Sequence, residues 1–105
     1  PMAPLDLPAI GEMTFFAPDE DRFPATRLAR LAAEAGGAAP AVLNAANEIA
    51  VAAFLKRQIA FSRIAVLVES VLDQGDLPQA PRTLEEVLRV DEDARTRATR
   101  ILEPA

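Results

Sequence analysis

Residues 40–55 read PAVLNAANEIAVAAFL, and this stretch decides the fold. Pro40 suits the first turn of a helix, because its φ is already helical and its missing N–H would have no partner there. The residues that follow are apolar on nearly every side of a helical projection, which is typical of a helix covered all round. We therefore expect a central, buried helix that runs from Pro40 to about Gln58.

The polar residues of this helix share one face. Asn44, Asn47 and Glu48 fall opposite its main apolar side, which consists of Leu43, Ala46, Ala50, Ala53 and Phe54. Asn is a poor helix former, and buried polar side chains need hydrogen-bond partners. A metal site would need more carboxylates, and a general acid would need a neighbour that sets its pKa. We expect these three residues to be buried and to fasten the helix to a connector or a neighbouring domain.

A shorter helix precedes the central one. Pro24 marks its start, and Gly36–Gly37 mark its end, since glycine accepts the left-handed backbone that closes a helix. Its apolar stripe consists of Leu28, Leu31, Ala32 and Ala35.

Another helix follows the central one, with Ser62 placed as its N-cap and Gly75 as its end. Phe61 and Val66 have the spacing of a hydrophobic staple. The stripe of this helix consists of Ile64, Leu67, Val68, Val71 and Leu72.

The last third of the chain predicts two more helices after a proline-containing loop over residues 76–81. Thr83 and Glu86 have the spacing of a capping box, which starts a short helix. The acidic run 91–93 then caps the start of a separate last helix, in which Ala94, Ala98, Ile101 and Leu102 face inward. Asp91 and Arg95 are one turn apart and are expected to pair.

The first 22 residues differ from the rest, because prolines at positions 1, 4, 8 and 18 exclude a helix of useful length. We expect an extended connector over residues 1–22 and a helical bundle domain over residues 23–105. Two alternatives stay open for the connector. Leu5, Leu7, Ile10 and Phe15 hold it against the helices, or Met13–Phe16 is a short strand that joins the sheet of another domain. The fold class is thus all-α, a bundle of four to five helices behind a proline-rich connector.

The composition excludes several classes of function. A length of 105 residues is that of one domain. A net charge of −5 argues against a surface that binds nucleic acid, because such a surface needs Lys and Arg to neutralise the phosphates. It contains no Cys and no His, and its four glycines form neither a dinucleotide fingerprint nor a P-loop. No stretch has the length and apolarity to cross a membrane, and no secretion signal is evident, so we expect a cytoplasmic protein.

A family resemblance gives the functional hypothesis. In order along the chain, its segments resemble the C-terminal part of bacterial 1-deoxy-D-xylulose 5-phosphate reductoisomerase. These segments are Leu5–Leu7, Met13–Phe15, Ala17–Asp19, Arg22–Pro24, Arg27–Ala29, Gly36–Glu48, Ala52–Leu55, Leu84–Leu88 and Asp91–Arg95.

The resemblance implies an oxidoreductase that converts 1-deoxy-D-xylulose 5-phosphate to 2-C-methyl-D-erythritol 4-phosphate in the methylerythritol phosphate pathway of isoprenoid biosynthesis. It also implies a homodimer with an NADPH-binding domain and a catalytic domain that holds manganese or magnesium, both upstream of the matching region. No catalytic, cofactor-binding or metal residue is therefore expected in this chain. Because the regions that perform the chemistry lie upstream of the match, we expect a fragment that is inactive alone and braces the catalytic domain, and the start at Pro1 in place of Met agrees with this.

A second hypothesis stays open: a stand-alone acidic helical module that binds a partner helix. The codons upstream of Pro1 discriminate between the two. An open frame that encodes a glycine-rich dinucleotide fingerprint favours the reductoisomerase, whereas an adjacent start codon favours the module.

Overall fold

The structure, a computed structural model, describes residues 2–74 and 80–103. In these ranges it contains five helices and no strand: α1 (Leu7–Ile10), α2 (Ala25–Ala35), α3 (Ala39–Leu55), α4 (Arg63–Asp73) and α5 (Leu84–Leu102). The all-α prediction is confirmed, with α2–α5 forming the bundle and the four-residue α1 lying in the connector. None of the helices described is long and apolar enough to cross a membrane.

Helix α3 is the central element, as predicted, because it packs against α2, α4 and α5. Its buried residues are mostly small, which lets three helices approach its backbone: Ala39, Val42, Ala45, Ala46, Ala50 and Ala53. The helix ends at Leu55, earlier than the expected Gln58. There Arg57 adopts φ 60° and the Gln58 N–H reaches the Ala53 carbonyl at 2.9 Å, which closes the helix without a glycine.

The hydrophobic core lies between the four helices of the bundle. Val42 and Val71 are the largest side chains that are completely buried. The other buried members of the core cluster come from the same four helices and from the turn before α3: Leu28, Ala38, Ala45, Ala46, Ala50, Leu67, Val68, Val90, Ala94 and Ala98. The core is therefore complete without any residue of the connector.

Helix α2 begins at Ala25, directly after Pro24, and Gly36 ends it with φ 65° as predicted. Only half of its predicted stripe is buried, namely Leu28 and Ala32. Leu31 and Ala35 are exposed, and the main packing partner of α2 is α3.

Helix α4 buries Leu67, Val68 and Val71 of its predicted stripe, but its start differs from the prediction. Ser62 has helical φ and ψ, and its side chain makes no capping hydrogen bond. Phe61 packs edge-on against Phe54 of α3, with 5.7 Å between ring centroids. The predicted end at Gly75 and the loop over residues 76–79 lie outside the described residues.

Helix α5 corrects the prediction of two separate helices. The capping box of Thr83 and Glu86 is present as predicted. The helix then continues through the acidic run 91–93 to Leu102. No Pro or Gly interrupts these 19 residues, and Val90, Ala94 and Ala98 form one buried stripe with a spacing of four. The acidic run is therefore a mid-helix surface and not a start.

The connector corrects a second prediction. Leu5, Leu7, Ile10 and Phe15 are exposed and do not hold it against the helices. Met13–Phe16 is not a strand in this chain, and its pairing with the sheet of another domain stays a prediction. Apart from α1, capped by the Asp6 carboxylate, residues 2–19 have no regular secondary structure.

Candidate functional site

The three polar residues singled out on α3 lie on its exposed face. Asn44, Asn47 and Glu48 are all exposed, so the helices of this chain do not bury them, and burial against a neighbouring domain stays a prediction. The helices α2, α4 and α5 cover the other sides of α3. They leave a strip open, and the polar residues fall on that strip.

Glu48 is the centre of a polar network between α3 and α5. One carboxylate oxygen accepts a 3.0 Å hydrogen bond from Asn44 Nδ2, one turn earlier on α3. The other accepts a 2.7 Å hydrogen bond from Arg95 Nη2 on α5. The same guanidinium donates through Nε to Asp91 at 2.6 Å, which confirms the predicted pair one turn apart. Glu48 therefore ties α3 to α5 through a residue that is 47 positions away in sequence.

Glu48 and Arg95 favour each other's ionised forms. The hydrogen bond from Arg95, with a smaller effect of Asn44, keeps the pKa of Glu48 below its ordinary value. Hydrogen bonds to Asp91 and then to Glu48 raise the pKa of Arg95 further above its ordinary range. A general acid or base works best with a pKa near the operating pH. The pKa values of Glu48 and Arg95 both move away from neutral pH, so this ion pair is suited to a structural role and not to acid–base catalysis.

The expected link between these residues and the connector is absent from the part of the chain that the structure describes. Within the described part of the chain, no hydrogen bond joins Asn44, Asn47 or Glu48 to residues 2–22. Asn47 itself makes no side-chain hydrogen bond to the residues that the structure describes. A contact between Asn47 and a neighbouring domain stays a prediction.

Two further arginines connect the helices of the bundle. Arg27 on α2 donates a 2.9 Å hydrogen bond to Glu69 on α4. Arg97 on α5 donates through Nη1 to the Val71 carbonyl at 3.3 Å, in the last turn of α4. A carbonyl in the last turn has no partner within its own helix, so this arginine satisfies the end of α4. Sequence analysis missed both contacts, since the partners are far apart along the chain.

Residues 2–74 and 80–103 contain neither a cluster of metal ligands nor a phosphate-binding loop. No three His, Cys, Asp or Glu side chains among the described residues converge on a point that could hold a metal ion. Gly36 and Gly37 end α2 and do not follow a strand, so they do not form a phosphate-binding loop. No catalytic step can be derived from the groups described.

An apolar groove was not anticipated from the sequence. It has a volume of about 510 Å³ and lies between the end of the connector and the start of α4, with Phe23, Phe61 and Val66 in its lining. All three of these side chains are exposed. The Arg22 guanidinium lies 5.2 Å from the centroid of the Phe23 ring. The sequence signal that could have indicated this groove is the position of Phe23 and Phe61, each two residues before the start of a helix.

Comparisons with known sequences point to one family. A family model described as the DXP reductoisomerase C-terminal domain matches residues 1–97. The 1-deoxy-D-xylulose 5-phosphate reductoisomerase of Pseudomonas paraeruginosa is 57% identical over 95 residues, and that of Pseudomonas putida is 58% identical over 94 residues. Each alignment covers 90% of this chain but only 24% or 23% of the relative. The chain thus spans about a quarter of the length of these curated relatives.

Solved structures agree with the sequence comparisons. The chain is similar to 1-deoxy-D-xylulose 5-phosphate reductoisomerase from Zymomonas mobilis in complex with NADPH, with a TM-score of 0.89 and 48% identity. That alignment covers 100% of this chain and 28% of the other. A DOX-P reductoisomerase in complex with magnesium gives a TM-score of 0.81 at 40% identity, covering 96% of this chain and 27% of the other. Both the sequence and the bundle therefore have counterparts within much longer chains.

Proposed function

The chain belongs to the 1-deoxy-D-xylulose 5-phosphate reductoisomerase family, as its C-terminal part, and we propose that it braces the domains of the full enzyme that perform the chemistry. The observation that carries this proposal is the match of residues 1–97 to the C-terminal domain of the family. In agreement with a bracing role, the core of the bundle is formed by its own helices and the turn before α3. The proposed division is a connector over residues 1–22 and a bundle domain over residues 23–105.

The full enzyme is proposed to rearrange 1-deoxy-D-xylulose 5-phosphate and reduce it with NADPH to 2-C-methyl-D-erythritol 4-phosphate. NADPH and a divalent metal, manganese or magnesium, would be held by residues upstream of this chain. The names of the relatives and the NADPH and magnesium complexes of similar structures support this assignment. A cytoplasmic homodimer is proposed from the resemblance and the sequence.

The bundle contributes rigidity in this proposal. Reacting groups must be held to a fraction of an ångström, because a misplacement of about 1 Å can lower a rate by about 100-fold. The buried residues of α3 are mostly alanines, and their small side chains let α2, α4 and α5 pack close to its backbone. Glu48 and Arg95 then fix α3 against α5, while Arg27 and Glu69 fix α2 against α4. A module of this kind is suited to hold a neighbouring domain in one orientation.

A chimaeric enzyme tests the proposal. In it, this chain replaces the matching 94 residues of the Pseudomonas putida reductoisomerase, and NADPH oxidation with substrate and magnesium or manganese is followed by absorbance. We expect the chimaeric enzyme to keep a kcat/KM close to that of the parent. The parent truncated before the matched region should lose activity, and this chain alone should show none.

Two results would contradict the proposal. One is turnover by this chain alone, which would place chemistry within its own residues. The other is a chimaeric enzyme that folds with the melting temperature of the parent and binds NADPH but does not turn over substrate. The truncated parent is the matched control, since it differs by the absence of the connector and the bundle.

A further inference from the structure

Helix α2 is attached to the bundle mainly through α3. It buries Leu28 and Ala32, and of these two residues Leu28 alone belongs to the described core cluster. Each of the helices α3, α4 and α5 buries three residues or more. A segment with few buried apolar contacts opens at a lower free-energy cost than the rest of a fold. Helix α2 is therefore the helix of the bundle that can detach most easily.

Two open grooves lie between this part of the chain and α4. The smaller, of about 190 Å³, has Leu31 of α2 and Leu72 of α4 in its lining. The larger, of about 510 Å³, lies between residues 21–25 and the start of α4. Protein interiors are close-packed, so grooves of this size mean that the two sides do not interlock.

An ion pair crosses the smaller groove. Arg27 Nη2 on α2 donates a 2.9 Å hydrogen bond to Glu69 Oε1 on α4, and both residues line this groove. Their side chains are 37% and 38% exposed. Water and salt weaken an ion pair with this exposure, so it contributes little to stability. The contact can close α2 against α4, but it can also break while the rest of the bundle stays folded.

The turn that precedes α2 is joined to that helix. The Asp19 carboxylate accepts a 2.9 Å hydrogen bond from the backbone N–H of Arg22, which closes the turn. The Glu20 carboxylate in the same turn lies 4.0 Å from Nη1 of Arg30 on α2. Turn and helix are therefore expected to move together, and we call residues 19–35 the arm.

Two consecutive glycines follow the arm. Gly36 and Gly37 have φ values of 65° and 57°, and glycine can leave such a conformation for many others because it has no side chain. Outside its chain neighbours, no described atom lies within 4 Å of the position that a Cβ of Gly36 would occupy. Helix α3 begins shortly afterwards, at Ala39. Rotation at the two glycines can therefore change the angle between the arm and α3.

We propose that the arm is a latch, which opens from α4 as one unit about Gly36 and Gly37 while α3, α4 and α5 stay folded. The contact between Arg27 and Glu69 holds the latch closed. The closed state is the one that can brace a neighbouring domain. The open state lets the rest of the connector, residues 2–18, change its direction relative to the bundle. This inference concerns the chain alone, so its failure would leave the proposed function standing.

Amide hydrogen exchange of this chain tests the latch. Exchange is followed residue by residue by NMR, at several low concentrations of guanidinium chloride. Amides that are exposed by the same opening share one opening equilibrium constant. We expect residues 28–35 of α2 to share a constant that is about tenfold or more larger than that of residues 45–53 of α3.

Two substitutions on α2 separate the latch from a general effect of lost charge. Arg27→Gln removes the contact across the groove and should raise the opening constant of the arm about threefold. Arg30→Gln is the matched control and should leave it unchanged, because Glu20, the partner of Arg30, lies within the arm and moves with it. Glu69→Gln on α4 should reproduce Arg27→Gln, and the double variant should add nothing further, since both remove the same contact.

Three results would overturn the latch. A common opening constant for α2 and α3 would mean that the arm opens only when the whole bundle unfolds. Exchange that slows gradually from Ala25 to Ala35 would indicate fraying of one helix end and not rotation about the glycines. Equal effects of Arg27→Gln and Arg30→Gln would mean that the contact across the groove does not hold the arm.

Discussion

Arg95 on α5 donates a 2.7 Å hydrogen bond to Glu48 on α3, the helix that contacts every other helix of the bundle. The same guanidinium is held by Asp91 one turn earlier on its own helix. Asn44 supports Glu48 in the same way on α3. Each partner is thus oriented before it meets the other, which lowers the side-chain entropy lost in forming the pair.

The contribution of Glu48 to stability should depend on pH. Its folded-state pKa lies below the ordinary value of 4.5. The stabilisation is therefore fully present above about pH 4.5 and is lost as the pH falls through the lower, folded-state pKa. We expect Glu48→Gln to lower the free energy of unfolding at pH 7 and to have no effect at a pH below both values. Urea unfolding of both proteins from pH 7 to pH 3 measures this difference, and a difference that grows on acidification would contradict it.

The alanines of α3 should not tolerate larger side chains. Ala46 is completely buried between helices, and Ala46→Leu should cost about 1–3 kcal/mol because a close-packed core has no room for the added atoms. Ala52 is exposed on the same helix, and Ala52→Leu should change stability by less than about 0.5 kcal/mol. Thermal unfolding of both variants checks this, since about 1 kcal/mol corresponds to about 4–8 °C in a domain of this size. Equal losses would mean that α3 is not the packed centre.

Local signals predicted much of the bundle. Gly36 ends α2, and the capping box of Thr83 and Glu86 starts α5. Both signals involve residues within a few positions of each other, so they can be recognised from the sequence alone. The Glu48–Arg95 contact joins residues 47 positions apart, and no local pattern indicates it. The exposure of Asn44 and Asn47 likewise depends on which sides of α3 its neighbours cover.

The acidic run 91–93 had two local interpretations. Acidic residues suit the first turn of a helix, and they also suit positions one turn before an arginine within a helix. The spacing of Val90 and Ala94, with no Pro or Gly between them, favours the second interpretation. Val90 belongs to the same buried stripe as Ala94 and Ala98, and this spacing of four is present in the sequence.

A proline substitution separates these two interpretations directly. If Asp91 were the N-cap of a new helix, Glu92 would be the first helical residue, a position where proline is tolerated. In the continuous α5, Glu92→Pro removes an internal hydrogen bond and should cost about 3 kcal/mol or more. Leu84→Pro is the control, because Leu84 is the first residue of α5 and Thr83 before it is extended. Comparable unfolding midpoints in urea for the two variants would show that the helix is broken near Asp91.

Asn47 gives the sharpest test of contact with a neighbouring domain. It is exposed on α3, and leucine is the better helix former, so Asn47→Leu should raise the stability of this chain by a few tenths of a kcal/mol or leave it unchanged. In the chimaeric enzyme, the same substitution should lower the melting temperature more than it alters metal affinity, because the carboxamide would lose partners on the upstream domains. Ala52→Leu, on the same helix, controls for an added apolar side chain. A large loss of metal affinity with unchanged melting would instead assign Asn47 a direct role at the site, whereas no effect in either protein would leave it a solvated surface residue.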